Sequence, residues 1–148
     1  MPYSTLAIMS DSNKSDVENV CRELVHALQG VLSWQWDGRF ETVLAEFGVD
    51  NKENVRAILE RCLSMTWDNS NIATAPDSVR RINVRVGTLR SGQFLFTSDP
   101  NRDAFVFGAW WPWGNGETIS LRIAPSYKKL SDSETAAKIQ RFKGWFGV

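Results

Sequence analysis

The chain has a single histidine, two cysteines and no long apolar run, and each shortage removes a class of protein. His26 falls on the polar side of a predicted helix beside Arg22 and Glu23, with no nucleophile or base to serve. It reads as a solvated side chain. Cys21 and Cys62 lie in apolar helical stripes, where a thiol behaves as a small hydrophobe and thiolate formation is disfavoured. Two cysteines in 148 residues also make no disulfide framework. No stretch approaches the ~20 apolar residues of a membrane span, and no basic segment followed by an apolar run opens the chain as a signal peptide does. Membrane association is therefore not expected, and the cytoplasm is the expected compartment. Phosphate-binding glycine loops, zinc-ligand spacings and a Ser/His/Asp set are missing too. These gaps lead us to assign no catalytic residue, no metal ligand and no cofactor, and to expect a protein that is not an enzyme.

The hydrophobic share of 43% and charged share of 23% suit one globular domain with a sizeable core. Formal net charge is zero, yet the halves differ: residues 1–79 carry −6 and residues 80–148 carry +6. Such a split lets the two halves attract each other within the fold, or gives the basic half an acidic partner.

Periodicity predicts an α+β fold, with N-terminal helices, a four-stranded antiparallel sheet of two hairpins in meander order, and a C-terminal helix packed on that sheet. Residues 1–14 read as a leader, with a short strand at Leu6 and Ile8; residues 15–66 read as helical, 80–127 as sheet and 131–147 as the closing helix. Helix one opens at a capping box, Ser15 with Glu18, and buries Val17, Val20, Cys21, Leu24, Leu28, Val31 and Leu32. A second helix is predicted through Phe40, Val43, Leu44 and Phe47, stopped by Gly48, with Trp34 and Trp36 wedged between it and helix one. A third opens at Asp50 with Glu53 and buries Val55, Ile58, Leu59, Cys62 and Leu63. The polar run from Asp68 to Asp77 lacks the glycine and distal glutamate of a calcium loop and reads as turn chemistry.

Alternation at Ile82, Val84 and Val86 predicts the first strand, turning through Arg90-Ser91-Gly92 so that Val86 faces Phe96. For the second hairpin, a three-residue loop at Gly114-Asn115-Gly116 pairs Trp111 with Ile119 and Phe107 with Ile123, which gathers the apolar side chains on one face. A tighter Asn115-Gly116 turn instead sets Trp111 and Trp113 beside Ser120 and Arg122. The first register is the expected one. Pro112 lacks an amide donor, which places it at a sheet edge, open to a partner strand beside Trp111 and Trp113. Ser131 with Glu134 caps the last helix, whose apolar stripe is Ile139, Phe142 and Phe146.

That register leaves a second sheet face bearing Arg85, Leu95, Thr97, Val106, Trp110, Pro112, Thr118, Ser120 and Arg122. Mixed aromatic, hydroxyl and guanidinium groups are the makings of a recognition surface. The expected partner-binding residues are Arg85, Leu95, Trp110, Trp113 and Arg122, the tryptophans as anchors and the arginines for charge. The expected function is a small protein-binding module of adaptor, chaperone or inhibitor type, whose partner is another protein, an acidic one on the charge split, or a second copy. The alternative is a ligand-binding or single-stranded nucleic-acid-binding module using the same face, or a homo-oligomeric structural protein; the strands are poor in lysine, which disfavours nucleic acid. A competing reading has the N-terminal helices cover this face and makes Leu95, Val106 and Trp110 core.

Overall fold

The computed structural model describes residues 16–148; the strand expected at Leu6 and Ile8 and the cap at Ser15 lie outside them. The chain folds as α+β, with one antiparallel sheet and a C-terminal helix. The sheet has six strands rather than four. In chain order the elements are helix α1 (16–28), strands β1 (Gln35–Asp37) and β2 (Thr42–Gly48), helix α2 (Lys52–Cys62), strand β3 (Met65–Trp67), helix α3 (Asp77–Arg85), strands β4 (Phe94–Thr97), β5 (Ala104–Pro112) and β6 (Thr118–Tyr127), and helix α4 (Asp132–Phe146). Across the sheet the order is β1-β2-β6-β5-β4-β3, each neighbour antiparallel.

Helices α1 and α2 bury the stripes their spacing predicts: Val17, Cys21, Leu24 and Leu28 in the first, Val55, Ile58 and Leu59 in the second. His26 is exposed. The second expected cap differs, because Val49–Asn51 forms a turn of 3-10 helix and the N-cap of α2 is Asn51, with no side-chain bond. At α4 the capping box is complete: Ser131 Oγ accepts from the Glu134 amide, and Glu134 accepts from the Ser131 amide. Phe142 and Phe146 face the core.

Two segments reverse their expected state. Residues 42–48, read as a helix, form β2, held between β1 and β6. Val43, Leu44 and Phe47 fit a helical stripe, but all of Thr42 to Ala45 is buried, so no wet side exists to define a period. Trp34 and Trp36 consequently pack on α4 instead of between helices: Trp34 meets Phe146 edge to face at 5.0 Å, and Lys143 Nζ lies 4.6 Å from the Trp36 ring. Conversely, the strand expected at Ile82, Val84 and Val86 is the end of α3. Val79, Ile82, Asn83 and Val86 recur at helical spacing and are buried, while Val84 is 72% exposed. Pro76 fixes the N-cap backbone, and Asp77 in the first turn suits the helix dipole. The first hairpin is therefore absent. Residues 90–93 only close a turn, Gln93 N–H to the Arg90 carbonyl, and β4 pairs with β3 and β5. Strand β3 stands where the expected helical region ends; it adds the sheet edge, and Asp68 just beyond it accepts from the Ser70 amide and hydroxyl as a turn residue does.

The β5–β6 hairpin is present, but its register is the tighter alternative. Trp110 pairs with Leu121, Trp111 with Ser120 and Phe107 with Ala124. The other register is favoured only where the hairpin has one apolar face and one wet face. In β5 every residue from Phe105 to Trp110 is buried. A slip of one residue flips every side chain to the opposite face, so the expected recognition face divides in two. Val106, Gly108, Trp110 and Pro112 point one way, together with Ile119, Leu121 and Ile123; Phe105, Phe107, Ala109 and Trp111 point the other, together with Ser120 and Arg122.

Helices cover the two faces unequally. Arg56 of α2 lies over Phe94 and Phe96, Glu23 of α1 accepts from the Cys62 thiol at the end of α2, and α4 lies over Trp36, so α1, α2 and α4 share the face that carries Trp110. Helix α3 lies on the opposite face, with Arg85 5.7 Å from the Phe107 ring. Its last residue, Arg85, also reaches the turn between β1 and β2, donating to the Phe40 carbonyl. Pro112 lies beyond the last β4–β5 pair, where its missing amide forfeits no ladder bond.

Candidate functional site

The β1-β2-β6 end of the α3 face carries a compact group of aromatic rings and guanidiniums. Phe40, in the turn between β1 and β2, meets Trp111 edge to face at 5.9 Å. Arg122 on β6 lies against both, its guanidinium carbon 5.0 Å from the Phe40 ring centre and 4.9 Å from that of Trp111. Arg39 approaches Phe40 to 4.9 Å, and Arg85 donates from Nη2 to the Phe40 carbonyl at 2.9 Å. Three arginines from a turn, a helix end and a strand therefore converge on one phenylalanine.

Asp37 supplies the carboxylate of this group. Its Oδ2 accepts from Arg122 Nε at 2.9 Å, and the two side chains are only 13% and 16% exposed. Burial pushes the Asp37 carboxyl up, but the hydrogen bond from Arg122, the backbone bonds from Arg39 and Phe40 and the guanidinium charge outweigh it and hold the carboxyl below its ordinary value. The pair fixes Arg122 in place and leaves its flat faces to the rings. Just beyond, Trp113 donates from its indole nitrogen to Ser120 Oγ at 2.7 Å and still exposes 45% of its surface. A tryptophan so tethered presents apolar area at little cost in conformational freedom.

Of the residues expected from the sequence, the structure brings Arg85, Trp113 and Arg122 to this surface. Leu95 and Trp110 are not on it. Leu95 is fully buried, and Trp110, 3% exposed, packs between Phe47 and Phe96 on the other side of the sheet. Asp37 and Arg39 join the surface unexpectedly, Phe40 from a predicted helix, and Trp111 from the expected strand edge. Asp37-Gly38 is a tight-turn signal between two short apolar runs, and read as one it places Phe40 at a hairpin rather than in a helix.

The two cysteines are free thiols with raised pKa values. Burial, with some help from the Glu18 charge, pushes Cys21 far up. Burial and then the Glu23 carboxylate push Cys62 up to about 11. Neither is a nucleophile at neutral pH. Among the described residues no helix is long and apolar enough to cross a membrane. Among the described residues the acidic and basic halves meet in three ion pairs, Asp16 with Arg102, Asp37 with Arg122 and, across the boundary itself, Asp77 with Arg80, so part of the charge split is spent inside the fold. Comparison with protein-family models, with curated proteins and with solved structures finds no match.

Proposed function

We propose that the chain is a non-enzymatic protein-binding module that uses the open sheet surface formed by Phe40, Trp111, Trp113, Arg39, Arg85 and Arg122. One observation carries the reading: an exposed, tethered Trp113 stands beside a half-buried ring-and-guanidinium stack at the β1-β2-β6 end of the sheet. Interface hot spots are enriched in tryptophan and arginine held in this way. The partner in this reading is another protein, offering an apolar side chain to the tryptophans and a carboxylate to Arg39 and Arg85. The two free cysteines suit a reducing compartment such as the cytoplasm.

The test is a pull-down from nuclease-treated lysate of the source organism, comparing wild type with Trp113→Ala. A stoichiometric protein kept by wild type and lost by a variant of unchanged melting temperature supports the module. Equal capture by both, or none by either, removes Trp113 as an anchor and the reading with it.

A further inference from the structure

The opposite side of the sheet holds a cleft of about 470 Å³ under the first turns of α2. Its floor and walls include Phe94, Trp110, Pro112 and Ile119, and Lys52, Glu53 and Arg56 reach it from α2. The volume falls within the range of small-molecule sites, which run from about 300 to 1,000 Å³.

Trp110 has an unfilled role there. It is 3% exposed, and its ring contacts are edge-to-face packings with Phe47 at 5.5 Å and Phe96 at 6.1 Å. Yet among the described residues its indole N–H meets no acceptor. Nor is that nitrogen sealed in the core, because the only buried side-chain nitrogen or oxygen left unsatisfied among the described residues is Thr42 Oγ1. A tryptophan this deeply packed usually finds a partner for its N–H. Trp110 lines the cleft and its nitrogen keeps accessible surface, so what fills the cleft, solvent or ligand, can supply the acceptor. Beside it, Arg56 is stretched 4.3 Å over the Phe94 ring and reaches Glu60 only at 3.8 Å, and Lys52 has no carboxylate in contact. Glu53 is the single carboxylate of the lining. Two cations, one neutral donor and an aromatic floor against one carboxylate favour a ligand with a flat apolar body and one negative charge.

We propose that this cleft binds a small aromatic monocarboxylate of one or two rings, its ring system on Phe94 and Ile119 and its carboxylate taking the Trp110 indole N–H and the Lys52 and Arg56 charges. The site is independent of the protein-binding surface, which faces the other way. The probe is 2-naphthoate, with 2-naphthamide as the uncharged control, followed by titration calorimetry and by the indole N–H resonances of the intact chain. We expect 2-naphthoate to shift the Trp110 indole resonance and 2-naphthamide to bind at least tenfold more weakly. Trp110→Phe keeps the ring and removes the donor, and should weaken binding roughly tenfold, as for a hydrogen bond to a charged acceptor. Lys52→Gln, on the exposed start of α2, should weaken it several-fold with the fold untouched, and Trp113→Ala should leave it unchanged. An unmoved Trp110 resonance at millimolar 2-naphthoate, or equal affinity for the amide, overturns the proposal even if Trp110→Phe fails to fold.

Discussion

Replacing Arg122 with Gln should lower the melting temperature by several degrees, and Asp37 is the reason. The two side chains are only 16% and 13% exposed and meet at 2.9 Å. An exposed ion pair contributes about 0–1 kcal/mol, whereas removing one member of a buried pair costs about 3–5 kcal/mol, because the other charge is left without a partner. This pair is close to sealed, but its Asp37 lies on the edge strand β1, so a cost of roughly 2 kcal/mol is expected from the range between those limits. For a chain near 150 residues that is a drop of about 4–8 °C. Loss of the stacking on Phe40 and Trp111 adds to it. Because both effects run through contacts, the Asp37→Asn and Arg122→Gln substitutions should not add. The double variant should be more stable than the sum of the singles predicts, by about 1 kcal/mol or more, measured by urea unfolding with matched m-values. Additivity within about 0.5 kcal/mol would refute the coupling.

The same pair sets a pH dependence of known sign. The Asp37 carboxyl titrates lower in the folded chain than in the unfolded one, so the folded state favours the charged form. The stability this gives is fully present above the unfolded value of about 3.9 and is lost as pH falls through that value to the folded one. The stability difference between wild type and Asp37→Asn should therefore be constant from pH 7 to 5 and shrink below pH 4. A difference that grows on acidification would show that burial, not Arg122, governs this carboxyl.

Val84→Asp should leave stability within about 0.5 kcal/mol of wild type, because the side chain is 72% exposed on α3; Ile82→Asp, 4% exposed, should unfold the protein or come close. Equal damage at both would return the segment to an alternating strand. Gly108→Ala should be neutral or stabilise by up to about 1 kcal/mol, since a Cβ there meets Leu63 Cδ1 at 3.4 Å and Leu121 Cδ1 at 3.6 Å, ordinary contact distances at a residue without positive φ; a drop of several degrees in melting temperature would mean the β5 face is packed tighter than those distances. Cys62 should react slowly with a disulfide reagent at pH 7.5, because burial and then Glu23 hold its thiol near 11. Glu23→Ala should quicken that reaction by removing the carboxylate, and an unchanged rate would leave burial as the whole cause.

What the sequence revealed depended on whether an element has a wet side. Helix α4 has one, and its cap, stripe and extent were legible from Ser131, Glu134, Phe142 and Phe146. The stripes of α1 and α2 were legible for the same reason. Strand β2 was not, since Thr42 to Ala45 are buried on both faces and seven residues are too few to separate a period of 3.6 from 2. Helix α3 failed differently. Ile82, Val84 and Val86 alternate, and only Val79, three residues ahead of Ile82, breaks the tie in favour of helix. At the candidate site Arg122 and Trp113 could be read as partners of solvent, but Asp37 and Phe40 could not, because nothing near β6 in the sequence says which turn will lie beside it.

The register of one hairpin decides what the aromatic run Trp110-Trp111-Pro112-Trp113 means. Read as a cluster, it is a single sticky patch. Neighbouring strand residues point to opposite faces, so the run is instead divided by the sheet itself. Trp110 joins Phe47 and Phe96 beneath the helices and floors the cleft, while Trp111 and Trp113 face away and meet Phe40, Arg122 and Ser120. Two indoles one peptide apart thus belong to two surfaces of different character, one concave and lined with apolar rings, the other open and fringed with guanidiniums. The register that separates them is held by the Asn115 carboxamide, which accepts from the Glu117 and Thr118 amides, and by the Trp113 N–H to Thr118 carbonyl bond that closes the loop. The other register would set Trp111 opposite Ile119, the pairing that a single apolar face demands. Packing opposes it too, because Leu63, just past the end of α2, has its Cδ1 3.4 Å from where a Gly108 Cβ would stand, which leaves room for a methyl group and little more. Turn and packing together fix which tryptophan meets which partner.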